Sequence, residues 1–136
     1  MVICYDLFDM IDFIKNVIKG RTIYRILFQR MLFKHRHLIT GRVLDLGSGG
    51  SPSYYPYLEK EGRVFIKTDY VQKPGVDVVV DFTKPFPFED QSFDTVCIFH
   101  ALYIAPEPIK VIDEAVRVLK KGGILVLSMP FVANEI

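Results

Sequence analysis

The stretch RVLDLGSGGSP, Arg42 to Pro52, places three glycines within four positions, directly after an apolar run and directly before a proline. Glycine weakens the interior of any strand or helix. A turn stripped this bare implies that something must come close to its backbone. A strand, a glycine turn and a helix start place N–H groups at the carboxyl edge of a parallel sheet, where ligands of such folds bind.

The rest of the chain supplies that sheet. Short apolar runs recur at Val43 to Leu46, Val64 to Lys67, Val76 to Val80, Thr95 to Phe99 and Ile124 to Met129. Runs that are apolar throughout and separated by helical or loop segments predict a parallel sheet covered on both faces. Between the last two, Val111, Ile112, Ala115, Val116 and Leu119 have helical spacing; Lys120 and Lys121 are expected in its last turn, with Gly122 as the stop. The proline-rich TKPFPFEDQSFD reads as a loop held by its aromatics. Upstream, Ile3, Leu7, Ile11, Ile14 and Ile18 predict an amphipathic helix ending at Gly20, and Thr22 is placed to cap a second helix running to about His37.

Three ligand classes use a glycine turn of this kind. A triphosphate loop needs a lysine directly after its glycines, and none occurs before Lys60. A dinucleotide turn needs a third glycine where this chain has Pro52. There remains a nucleoside joined to an amino acid. Asp45 precedes the glycines, Asp69 ends the second run and Asp81 ends the third, so all three are expected on one edge. A carboxylate at the second strand's end can accept both ribose hydroxyls. Three carboxylates would repel a pyrophosphate and tolerate a cationic or zwitterionic ligand.

Composition sets the outer limits. The 136 residues are 50% hydrophobic and 24% charged with net charge +1, as expected of one soluble globular domain. No apolar run approaches the roughly 20 residues that span a bilayer, and the acidic N-terminus lacks a signal peptide's basic start. Cys4 and Cys97 match no metal spacing and read as reduced core residues of a cytoplasmic protein; no metal site is expected. Charge is unevenly placed. Between Phe13 and Leu44 stand eight Lys or Arg residues and no acid, whereas the remainder is acidic on balance. That basic stretch, with Tyr24, Phe28 and Phe33, is either a solvated helix face or a contact for an anionic, lipid-linked or phosphorylated acceptor at a membrane surface. Nucleic acid is not indicated, since no recognition module is present.

VLDLGSGG, TDY, DFTKPFPFEDQSFDTV and VIDEAVRVLKKGGILVLSMPF resemble, in order, successive motifs of the class I S-adenosylmethionine-dependent methyltransferases of the type 11 kind. The resemblance runs from about Gly41 to Phe131. It implies an α/β Rossmann-like, mostly parallel sheet of order 3-2-1-4-5 flanked by helices. With the helices predicted upstream, the chain reads as one domain over 1–136, with N-terminal helices over 1–40 and a cofactor core over 41–136 truncated after the fifth strand. The cofactor implied is S-adenosylmethionine. Asp45, Leu46, Gly47, Ser48 and Gly49 would carry its methionine half, Asp69 its ribose with Tyr70 beside the adenine, and Asp81 the adenine amino group with Phe82. Phe99 and His100 would border the methyl end. Methyl transfer often needs only alignment of the acceptor with the sulfonium, so His100 reads as either a pocket wall or a general base. LYIA, Leu102 to Ala105, stands where the family often carries a polar pair.

The family's sheet continues beyond a fifth strand. Three readings follow: a piece of a larger methyltransferase, a minimal form completed as a homodimer through the exposed fifth-strand edge, or a cofactor-binding module without turnover. The expected acceptor is a small molecule, sugar or lipid.

Overall fold

The computed structural model describes residues 11, 14–15, 17–20, 22–50, 52–58 and 62–129. Cys4, most of the first predicted helix and the Pro130–Phe131 end of the last motif lie outside them; residues 11, 14, 15, 17 and 18 are helical. The chain forms two compact units, residues 1–36 and 37–136. In the first, helix α1 spans Ile23–His35, and the Thr22 hydroxyl accepts from the Arg25 N–H at 3.4 Å. This is the cap expected of a threonine before an apolar-periodic run.

In the second unit, β1 (Arg42–Leu46), β2 (Val64–Asp69), β3 (Val78–Val79), β4 (Phe93–Phe99) and β5 (Leu119–Ser128) form one sheet of order β3-β2-β1-β4-β5. All its ladders are parallel. The predicted order and Rossmann-like fold are present. Short α2 (Tyr55–Leu58) follows the glycine turn, and α3 (Pro108–Val118) returns the chain from β4 to β5. Val43, Leu44, Val96 and Ile98 are wholly buried in β1 and β4, which pair with each other at the middle of the sheet. Val111, Ala115 and Val118, spaced four and three residues apart, put one face of α3 into the same cluster as Leu44, Leu46, Val96 and Ile98. Each such aliphatic side chain contributes about 1.5–3 kcal/mol on burial.

Two elements depart from expectation. The third predicted strand shrinks to Val78–Val79 at the sheet's edge, paired with Thr68 and Asp69. Helix α3 ends at Val118, before the two lysines. Leu119 turns extended, with ψ 136, and pairs with Phe93, so the sheet takes Lys120 and Lys121 from the helix. The ladder slips between the Phe93 and Thr95 pairings, Gly122 adopts φ +78 there, and Lys120 Nζ reaches Asp94 Oδ1 at 2.8 Å. Such a bulge needs a residue tolerant of the left-handed region.

The aromatic loop is clamped to α3. The Phe86 N–H donates to Glu114 Oε2 at 2.7 Å, and Arg117 donates to the carbonyls of Phe86 and Phe88 as well as to Glu114 and Asp90. With its amides and carbonyls so satisfied, the loop can bury Phe86 and set the Phe88 ring edge-on to Phe93 at 5.2 Å. This fixes the chain that follows Asp81.

Candidate functional site

The ends of β1, β2 and β3 open on a cavity of about 500 Å³, lined by Gly47, Asp69, Tyr70, Val80, Asp81, Phe82, Thr83, Ile104 and Pro106. Five of the residues singled out in the sequence (Gly47, Asp69, Tyr70, Asp81 and Phe82) thus share one concavity. Asp69 is the last residue of β2, and its carboxylate lies near Gly49: a methyl group on Gly49 would stand 3.5 Å from Asp69 Oδ2. Lys73 Nζ meets the same oxygen at 2.5 Å, and the Val71 N–H donates to the other at 3.2 Å. Partial burial pushes the Asp69 carboxyl up, but Lys73 and the backbone donors outweigh it and hold the group below its usual range. Asp81 accepts from both the hydroxyl and the N–H of Thr83, at 2.7 and 2.9 Å, and Lys84 stands 3.5 Å away. Thr83's donors, then Lys84, keep Asp81 low as well. Both acids of the cavity are therefore ionised near neutrality, each with a lysine three or four residues on. The lysines temper the acidity expected of this rim.

Asp45 sits behind the turn rather than in the cavity. It is fully buried, accepts from the Tyr54 hydroxyl at 2.9 Å through Oδ2, and its Oδ1 has no hydrogen-bond partner among the described residues. Burial pushes its carboxyl up to about 7 against the pull of Tyr54. Leu46 is likewise buried, so only its backbone can serve a ligand. The turn is held by buried Thr68: its hydroxyl donates to the Asp45 carbonyl at 3.0 Å and accepts from the Gly47 N–H at 3.2 Å. The Gly49 N–H donates to the Thr68 carbonyl at 3.2 Å, and the Ser48 hydroxyl donates to the Gly49 carbonyl at 3.0 Å. The glycines serve the chain as much as any ligand. A methyl group on Gly47 would lie 2.6 Å from the Ala101 methyl, and one on Gly50 would overlap the Pro74 carbonyl.

At the end of β4, Phe99 is buried with its ring edge-on to Tyr54 at 5.0 Å. His100 holds φ +54, a conformation uncommon outside glycine. Its N–H donates to the Ser128 carbonyl at 3.0 Å, its Nδ1 stands 3.0 Å from Ser128 Oγ, and burial holds its imidazole below the ordinary histidine value. Phe99 and His100 are outside the cavity lining. Sequence reasoning missed Tyr54, Thr68, Lys73 and Ser128. Only Lys73 carried a signal, its four-residue offset from Asp69. Among the described residues no group of His, Cys, Asp or Glu could hold a metal ion.

The arrangement suits a nucleoside. The cavity has the size of small-molecule sites, offers ionised acceptors at two neighbouring strand ends, and presents the Tyr70 and Phe82 rings with Val80, Ile104 and Pro106 as apolar walls. Residues 44–127, more than half of the chain, match the methyltransferase domain family. The chain is 34% identical to the demethylmenaquinone methyltransferase of Renibacterium salmoninarum, over 64% of this chain and 40% of that protein. It is 27% identical to the phosphatidylethanolamine N-methyltransferase of Cereibacter sphaeroides, over 79% and 59%. A SAM-dependent methyltransferase from Aquifex aeolicus shares the fold, with TM-score 0.53 and 24% identity over 68% of this chain and 58% of that one. The chain spans about half the length of the curated relatives it matches. Sheet order, glycine turn and family match agree, and they identify this chain as a member of the methyltransferase domain family, which implies S-adenosylmethionine as its cofactor.

Proposed function

We propose that the domain holds S-adenosylmethionine at the cavity beside Gly47 and supports methyl transfer to a small-molecule, sugar or lipid acceptor by direct displacement. One observation carries this reading: Asp69 and Asp81, from two neighbouring strand ends, line a single cavity with the glycine turn. Asp69 accepts from the ribose hydroxyls and Asp81 from the adenine amino group. Tyr70 and Phe82 flank the base. Asp45, Leu46, Ser48 and Gly49 carry the amino-acid half with Gly47, largely through backbone. Phe99 and His100 border the transferred group. When bound, the cofactor supplies a methyl group on a sulfonium, open to in-line attack. The protein's part is alignment and exclusion of water.

A lipid acceptor fits best within the proposed class. Tyr103 and Ile104, where the family often carries a polar pair, are both exposed, and Ile104 lines the cavity. Two relatives are named for demethylmenaquinone and phosphatidylethanolamine, acceptors of the lipid kind. Calorimetry with S-adenosylmethionine and its demethylated product tests the cofactor site. Asp69→Ala should weaken both ligands at least about tenfold, the loss expected for hydrogen bonds to a charged acceptor, while unfolding stays cooperative. Unchanged affinity would remove Asp69 from the site.

A second reading, cofactor binding without turnover, draws on Phe99 and His100 lying outside the cavity lining. Labelled methyl transfer into a lipid extract separates the two, since a binder yields no labelled product.

A further inference from the structure

Helix α1 buries one side and exposes apolar residues on the opposite one. Ile26, Gln29 and Leu32, at three-residue steps, are buried. On the other side Ile23, Leu27 and Met31, at four-residue steps, are 58%, 41% and 60% exposed, and Tyr24 lies beside them, also exposed. A helix with one partner keeps its far side polar. This one leaves a second apolar stripe in water, which calls for a second partner. The residues before α1 repeat the composition, with Ile14, Val17 and Ile18 exposed beside Lys15 and Lys19.

Charge selects the partner. Arg30 and Lys34 fall on the row of Ile23 and Leu27, Arg25 and Arg36 on the row of buried Gln29 and Leu32, and no Asp or Glu occurs between Phe13 and Leu44. Lys34 falls on the same side as the Ile23–Met31 stripe, and the Arg36 guanidinium stacks over the Phe33 ring at 3.6 Å. Two copies of so cationic a face would repel each other. Nucleic acid would match the charge and leave the aliphatic stripe unburied. A surface that is anionic outside and hydrocarbon beneath satisfies both features. We infer that α1 docks on an anionic lipid bilayer, with Ile23, Leu27 and Met31 entering the headgroup boundary and Arg30 and Lys34 facing lipid phosphates. This goes beyond the cofactor reading and does not depend on it.

Co-sedimentation of the full chain with phosphatidylglycerol–phosphatidylcholine vesicles tests the inference. The protein should bind these vesicles, bind pure phosphatidylcholine far less, and detach as salt rises above the physiological range. Leu27→Glu with Met31→Glu should lower the bound fraction about tenfold or more, and Lys34→Glu should weaken binding by a smaller factor. Both changes fall at exposed positions, so circular dichroism and S-adenosylmethionine affinity should match the parent protein. Those controls separate failure here from failure of the cofactor site. Absence of vesicle binding, or equal binding to neutral vesicles, overturns the inference. So does binding that survives Leu27→Glu with Met31→Glu, self-association that these substitutions abolish, or retention on nucleic acid in place of vesicles.

Discussion

A side chain on Gly50 would overlap the backbone carbonyl of Pro74, and one on Gly75 would overlap Gly50 in turn, whereas one on Gly62 would meet nothing within 4 Å. Both Gly62 and Gly75 hold φ +84, so Gly62 needs glycine for conformation alone. Gly50→Ala has to push one main chain off another and should cost roughly 3 kcal/mol or prevent folding. Gly62→Ala should cost only about 1 kcal/mol. Urea unfolding of the two variants checks the ranking, and equal losses would mean that the crossing at Gly50 yields easily. The sequence sets Gly50 in a glycine run and Gly62 alone, but shows the neighbours of neither. The run at residues 47–50 announces a crowded turn without saying what crowds it, because the crowding comes from Pro74 and Ala101, far away in the chain. The same holds for the buried hydroxyl of Thr68 and for the Tyr54 bond to Asp45.

Among the elements, the inner strands were the most legible and the boundaries the least. β1 and β4 are apolar at their buried positions apart from Asp45 and Thr95, because both faces are covered, and they read as strands without help from their neighbours. Asp69 and Asp81 could be assigned to one rim because parallel strands end on the same side. Asp45 could not be told from them, since one residue's difference in depth decides between rim and core. Helix α3 and β5 share a run with no turn signal at Leu119. Pairing with Phe93, a tertiary event, ends the helix there. Along β3-β2-β1-β4-β5, Val43, Leu44, Val96 and Ile98 are wholly buried, β3 is two residues long and no residue of β5 is fully buried. Amide exchange should therefore be slowest in β1 and β4, faster in β5 and fastest in β3. Protection of β5 equal to that of β4 would mean that another strand covers its outer edge.

For the molecule as a whole, stability against pH combines opposed contributions. Asp69, Asp81, Asp94 and Glu114 are held below their ordinary values, so their contributions are present above those values and lost on acidification. Asp45 acts in the other direction. Its folded value of about 7 exceeds the ordinary 3.8, so its contribution is complete below about 3.8 and is lost as pH rises through about 7. Asp45→Asn should leave the acid limb in place and remove the decline between about 4 and 7. Denaturant unfolding of both proteins across that window checks it; parallel curves would place the Asp45 charge in contact with water or a cation.

The crossing of Gly50 with Pro74 and Gly75 couples the loop after β1 to the loop after β2. Lys73, which holds Asp69, is the residue just before that crossing. The two lips of the cleft are thus riveted together on one side. Displacement of either loop at the crossing must carry the other with it, so the two would answer an arriving ligand as one jaw.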